Sequence, residues 1–331
     1  MRAMILEHTA PVEQIPLRSA DVPVPEPGPG EIRLKVRACG ACHTDLHTVE
    51  GDLELKRIPL IPGHQVVGTV DTRGRGSTLH KEGDRLGVTW LYSSCGECLY
   101  CREGRENLCP SAQFTGYHRD GGYAEYMVVP EQSAFPVPDI FTDIDATPLL
   151  CGGVIGYRAL RLSEIGSKGK LGLYGFGNSA HIVIQIAVNR GCEVYVFTRS
   201  QNHQKLAAEL GAVWVGTASD EPPSLMDSSI VFAPAGPLVL DALRVLRPGG
   251  TIALAGITMT PVPQMDYSLI YGERTVRSVA NTTRKDAEEL LAAAAGASVK
   301  SHVEAFGLED ANDVLRMMKH SELKAGAALV L

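Results

Sequence analysis

Four cysteines within fifteen residues constrain this chain more than any other feature: Cys95, Cys98, Cys101 and Cys109, in CGECLYCREGRENLC. At the spacing CxxCxxCx7C, four thiolates can wrap one tetrahedral zinc ion, and a four-cysteine site is closed, with no position left for a substrate. The lobe is therefore expected to be structural. The chain has eight cysteines and opens with MRAMILEHTA, which has no apolar signal region, so metal ligation is expected rather than a disulfide framework. A zinc ribbon for nucleic acid would need a basic surface, and the formal net charge is -7.

Three further pieces offer an open site: CGACHTDLH from Cys39 to His47, Gly63-His64-Gln65, and Leu150-Cys151-Gly152. Together they supply two thiolates and an imidazole, a soft N/S set that suits zinc with one position free for chemistry. If Cys42 opens a short helix, Thr44 and His47 lie three apart on one face and can be hydrogen-bonded in series, as a proton path. Asp45 is placed to orient a ligating imidazole such as His64 from behind. The bland alternative is that Thr44 and Asp45 simply cap a helix.

At 331 residues the chain exceeds one ordinary core, so two domains are expected. With 44% hydrophobic and 21% charged residues it reads as soluble and globular, and no segment approaches the roughly 20 apolar residues of a membrane span. A cytosolic (cytoplasmic) protein is expected. In the first half, Arg2 to Glu7 reads as a strand. The prolines and glycines of residues 21–30 force a turn. Glu31 to Ala38 alternates Ile32, Leu34, Val36 and Ala38 with charged residues, the mark of a half-buried strand leading to Cys39. Strands are also expected after His64, within residues 81–90 and within residues 121–130. Cys151 precedes a glycine-flanked helix start and marks the domain boundary, with a substrate cleft expected between the domains.

From about residue 168 the pattern turns α/β. Lys170 to Phe176 is an apolar strand, followed by GFGNSA and a helix to Asn189. Gly175, Gly177 and Ala180 form GxGxxA, where Phe176, Asn178 and Ser179 complete the turn. In a strand-turn-helix setting, bare glycine backbone lets a pyrophosphate approach the helix N-terminus. Six strands alternating with helices describe a doubly wound sheet. An NAD site calls for an acidic residue after the second strand, and this chain has Thr198-Arg199-Ser200 instead. The missing carboxylate and added arginine favour a 2′-phosphate, so NADP is expected ahead of NAD.

CGACHTDLH, PGHQVVG, EGDRLGV, the four-cysteine lobe, LLCGG, YGFGNSAH and LRPGGTIALAGI stand in the order seen in zinc-dependent medium-chain alcohol dehydrogenases, and the chain resembles that family over nearly its whole length. The resemblance implies a GroES-like catalytic domain over residues 1–152 and 282–331, around a Rossmann domain over residues 153–281. It implies two zinc ions per chain: a catalytic one on Cys42, His64 and Cys151, with Cys39 spare, and a structural one in the lobe. It implies Thr44 and His47 as the proton relay, His43 as a pyrophosphate contact and Trp90 as an aromatic wall of the substrate pocket. Two departures stand out. Gln65 replaces a glutamate common after the zinc histidine, and Leu53 stands where some relatives carry tryptophan, which points to a pocket for chains longer than ethanol. The expected activity is reversible hydride transfer between a primary or secondary alcohol and a nicotinamide cofactor, in a homodimer or homotetramer without nucleic-acid or membrane partners. The alternatives are an NADPH-dependent aldehyde reductase and a non-catalytic redox sensor using Cys39 and Cys42 as a CxxC pair.

Overall fold

In the computed structural model, which describes residues 1–323 and 325–331, the first apolar run forms β1 (Arg2–Leu6), paired antiparallel with β2 (Leu17–Asp21). Strand β3 (Glu31–Ala41) follows, then helix α1 (His43–Glu50), β4 (Gln65–Arg73), β5 (Arg85–Val88) and β6 (Leu91–Ser93). The single turn α2 (Leu99–Arg102) lies in the cysteine lobe; β7 (Gln113–Phe114), β8 (Tyr126–Pro130), β9 (Ala134–Pro136) and α3 (Asp143–Ala146) complete the stretch.

The chain then enters a different architecture. Helix α4 (Gly152–Leu162) leads into β10 (Lys170–Tyr174), α5 (Asn178–Asn189), β11 (Glu193–Phe197), α6 (Gln201–Glu209), β12 (Trp214–Gly216), β13 (Met226–Val231), α7 (Pro237–Arg244), β14 (Leu246–Leu254) and β15 (Thr275–Ser278). The last stretch holds α8 (Arg284–Gly296), β16 (Val303–Gly307), α9 (Ala311–Lys319) and β17 (Gly326–Val330). The described residues divide into two units: Met1–Cys151, Asn281–Ala295 and Lys300–Leu331 in one, Gly152–Ala280 and Gly296–Val299 in the other.

The first unit is β-rich. Its main sheet runs β16-β17-β3-β4-β5-β9, with β8 also on β3. Ile32, Leu34, Val36 and Ala38 all point into the core, as their alternation requires, and each large one contributes roughly 1.5–3 kcal/mol by burial. The strand runs three residues beyond its expected end. Leu329 of β17 and Val66 of β4 pair with Cys39 from either side, so the ladder continues through small residues that suit a strand covered on both faces. Strands β2 and β16 carry no strong sequence signal, being short or largely exposed.

In the second unit all five strand pairings are parallel and the order is β12-β11-β10-β13-β14-β15, that is 3-2-1-4-5-6. This is the Rossmann order, in which the first β-turn-α carries the phosphate-binding glycines.

Candidate metal and cofactor sites

The open metal site is built where β3 ends and α1 begins. Cys42 is the N-cap of α1: its sulfur accepts from Thr44 N at 3.3 Å, while Asp45 Oδ2 accepts from Cys42 N at 3.0 Å, a reciprocal cap with cysteine in the place usually held by serine or threonine. His64 comes from the turn before β4, and Cys151 from the turn before α4. The three ligand atoms lie within 4.8 Å of one another. Cys42 Sγ is 3.4 Å from His64 Nε2 and 3.9 Å from Cys151 Sγ. With Zn–S near 2.3 Å and Zn–N near 2.0–2.1 Å, a tetrahedral ion spaces its ligands by about 3.5 Å (N to S) and about 3.8 Å (S to S). The donor set and its spacing fit zinc.

Behind His64, Asp45 fixes the tautomer. Asp45 Oδ1 accepts from His64 Nδ1 at 2.9 Å and from Gly63 N at 3.2 Å, which leaves Nε2 to face Cys42. Both side chains are buried. Gly63 has φ +96°, and a Cβ there would fall 2.4 Å from Tyr123 Cδ1, so the turn that aims His64 admits only glycine. The hydrogen bond from Cys151, with His64 beside it, holds the Cys42 thiol well below its ordinary value despite burial, and the Cys151 thiol is pushed well above. Burial pulls the His64 imidazole down, but Asp45 and Cys42 outweigh it and hold it well above its usual value. A Cys42 thiolate, a neighbouring Cys151 thiol and a carboxylate-backed imidazole in one buried spot form a donor set that a divalent cation suits.

Thr44, His47 and Leu53 are half-buried and His43 is exposed. The Thr44 hydroxyl lies beside the Cys42 sulfur and helps to hold that thiol low. His47 Nδ1 lies 2.7 Å from Asp52 Oδ2. The two residues expected to form a relay thus share a helix without a bond between them, because the side chain of His47 turns to Asp52 beyond the helix end. Asp52 carried no motif signal; its position five residues after His47, just past Gly51, was the only hint. Trp90 packs edge-on to His64 with ring centroids 5.0 Å apart, and stacks with Phe114 at 5.1 Å and Tyr117 at 5.8 Å. Tyr117 Oη donates to Glu54 O at 2.7 Å, tying this aromatic cluster to the loop that bears Leu53. Phe114 and Tyr117 went unread in the sequence because isolated aromatics have no period.

Cys39 is fully buried, its thiol directed to Gly40 O at 3.7 Å, and burial and the Asp45 charge push it well above the ordinary thiol range. A fully buried thiol held in its protonated form is a poor redox partner.

The four-cysteine lobe closes as its spacing predicts. Sulfurs of Cys95 and Cys109 are 3.5 Å apart, Cys98 and Cys101 3.5 Å, Cys95 and Cys101 3.9 Å. These again bracket the roughly 3.8 Å edge of a zinc–thiolate tetrahedron. Backbone N–H groups of Glu97 and Cys98 pull the Cys95 thiol down to about 6.

In the second unit, Gly175 (φ +86°) turns the chain from β10 into α5, and a Cβ there would lie 2.9 Å from Ala233. Nothing lies within 4 Å of a Cβ on Gly177, the N-cap of α5. That bare approach to unpaired helix N–H groups fits a pyrophosphate. Phe176 is buried and packs toward His203 of α6, with centroids 6.3 Å apart, rather than facing the open side. At the end of β11, Gln204 Nε2 donates to Thr198 O at 2.8 Å, and Ser200 Oγ caps α6 by accepting from His203 N. Arg199 is exposed and makes no hydrogen bond or ion pair with any described residue.

Comparison with known proteins gives a consistent family. Residues 28–139 match the family described as alcohol dehydrogenase GroES-like domain, and residues 180–296 the one described as zinc-binding dehydrogenase. The chain is 43% identical over 337 residues to a probable alcohol dehydrogenase AdhA of Mycobacterium tuberculosis, covering 100% of this chain and 97% of that one. Among solved structures, an NAD-dependent alcohol dehydrogenase matches with a TM-score of 0.89 at 25% identity, over 100% of both chains. A putative zinc-binding dehydrogenase of Sinorhizobium meliloti, bound to NADP, matches at 0.85 and 26%, over 100% of this chain and 99% of that one.

Proposed function

The chain belongs to the zinc-dependent medium-chain alcohol dehydrogenase family, and we propose that it catalyses reversible, zinc-dependent oxidation of a primary or secondary alcohol with NADP preferred over NAD. The observation that carries this reading is the Cys42–His64–Cys151 constellation, with the Thr44 hydroxyl beside Cys42. Cys42, His64 and Cys151 would hold the catalytic zinc, and the four-cysteine lobe a structural one. When bound, zinc supplies Lewis acidity that lowers the pKa of an alcohol hydroxyl, and the nicotinamide cofactor accepts the hydride.

The chain's own residues handle the proton and the surroundings. Asp45 keeps His64 in the tautomer with Nε2 free. Thr44 Oγ1 receives the alcohol proton, and the His47–Asp52 pair carries it onward. Since Thr44 and His47 are not in direct contact, a bridging hydroxyl closes the path. Trp90 walls the substrate position and keeps water from His64. Bare glycine backbone at Gly175 and Gly177 receives the pyrophosphate, and Arg199 with Ser200 receives a 2′-phosphate in place of the missing carboxylate. Run backwards, the same chemistry is an NADPH-dependent aldehyde reductase. We also propose that the chain is a homo-oligomer.

The test is a steady-state assay of the zinc-loaded protein with NAD and NADP on ethanol, hexanol and benzyl alcohol, alongside metal analysis. Two zincs per chain and turnover favouring NADP are expected. Cys151→Ser is expected to keep one zinc and lose several kcal/mol of catalysis, about 10²–10⁴-fold in kcat. Turnover with NAD favoured would discard the 2′-phosphate reading alone. Two bound zincs without any turnover would overturn the enzyme.

A further inference from the structure

Tyr123 is fully buried, and its hydroxyl has no hydrogen-bond partner. Leaving a buried hydroxyl unpaired destabilises the fold, so phenylalanine would be the more stable residue unless the hydroxyl has a use. The residue is held firmly. Tyr123 N donates to Pro62 O at 3.0 Å, and Tyr123 O accepts from Met4 N at 2.9 Å. Its ring closes over Gly63, leaving no room for a side chain there. The ionisable groups that reach it are Asp45, Cys39 and Cys42.

Of these, Asp45 offers the strongest acceptor. Its Oδ1 already takes two hydrogen bonds, from His64 and Gly63, while Oδ2 takes one, from Cys42 N. A carboxylate has about four lone-pair sites, so Oδ2 can accept once more. Cys39 is a weak acceptor whose own proton goes to Gly40 O.

We propose that Tyr123 is a positioning residue for the metal ligand His64: its hydroxyl donates to the Asp45 carboxylate, closing with a small shift of either side chain. A fourth donor fixes the buried carboxylate in direction. Asp45 in turn holds His64 with Nδ1 protonated and Nε2 presented beside Cys42. The inference rests on reading Cys42, His64 and Cys151 as a zinc site.

Tyr123→Phe removes only the hydroxyl. The experiment follows zinc release from the full chain to an excess of chelator, with Cys151→Ser as the trace for the four-cysteine lobe alone, and repeats it on cobalt-substituted protein by visible absorption. The variant is expected to release the open-site metal roughly tenfold faster, as for other residues that support a metal ligand. The lobe should be unaffected. A purely packing role predicts the reverse: unchanged release and an equal or higher Tm, since an unpaired hydroxyl is gone. Release at the wild-type rate overturns the proposal. In an Asp45→Asn background Tyr123→Phe should add nothing, and an additive effect overturns the route through Asp45. A wild-type chain that binds zinc only in the lobe would overturn the zinc reading itself, before any variant is compared.

Discussion

At the scale of residues, the proposed proton path divides into two parts with different consequences. Thr44 Oγ1 lies beside Cys42, whereas His47 is turned to Asp52 at 2.7 Å. Thr44→Val should therefore remove the proposed first acceptor of the alcohol proton, lowering kcat by about 10²–10⁴-fold with metal content unchanged from the wild type. His47→Gln removes a later carrier that buffer can replace. Its loss should be smaller and recover as imidazole is raised in the assay; no recovery would mean His47 serves another purpose. Arg199 belongs to the same scale. Arg199→Asp replaces a cation with a carboxylate that can accept from ribose hydroxyls and repel a 2′-phosphate, so the ratio of kcat/KM for NADP over NAD should fall. An unchanged ratio would sink the arginine reading. The cysteine clusters were legible because cysteine is rare and its spacing is chemical. Asp52 and Tyr123 were not, because their partners are fixed by where a turn ends and where a strand returns.

At the scale of elements, Asp143 ties three of them together. It opens α3 and receives hydrogen bonds from Arg37 of β3 and from Arg85 of β5, the latter at 2.6 Å; Arg85 also donates to Phe141 O at 2.7 Å. Burial pushes the Asp143 carboxyl up, but Arg37 and Arg85 outweigh it and leave it below its ordinary value. A carboxyl lowered on folding contributes stability above its unfolded pKa, near 3.9, and that contribution disappears as pH falls through the folded value. Asp143→Asn should thus cost roughly 1–2 kcal/mol at neutral pH, a figure reduced because Arg37 is half exposed. The cost should shrink as pH falls below the unfolded value and vanish once it is below the folded one. Denaturant titrations at several pH values measure it; a difference constant down to low pH would show that packing rather than charge is lost. Such a tie between distant stretches has no sequence signature. What could be read were elements with a period: β3 from its alternation, β10 and α5 from an apolar run, glycines and a second apolar run. The extension of β3 through Cys39 was hidden because it depends on neighbours, β17 and β4, that the local sequence does not name.

At the scale of the whole molecule, two features of the second unit bear on self-association. Among the described residues β15 is the last strand of its sheet, pairing only with β14, and its residues are mostly exposed. Between β14 and β15 the chain displays large apolar side chains to solvent: Ile257 at 74%, Tyr267 at 72% and Tyr271 at 69% exposure. An open strand edge beside aromatic surface is costly for a protein that stays alone, and a second copy can cover both. A net charge of -7 adds only weak, screened repulsion at physiological salt. The wild-type protein should therefore sediment as a dimer or larger, and Ile257→Asp with Tyr267→Asp should shift it toward the monomer without loss of zinc. Because neither residue is near a metal ligand in sequence and both lie outside the unit that holds Cys42, His64 and Cys151, a loss of zinc together with dissociation would point to unfolding instead. Analytical ultracentrifugation paired with metal analysis separates the cases. A wild-type monomer, or an oligomer indifferent to both substitutions, would remove this surface as the site of assembly.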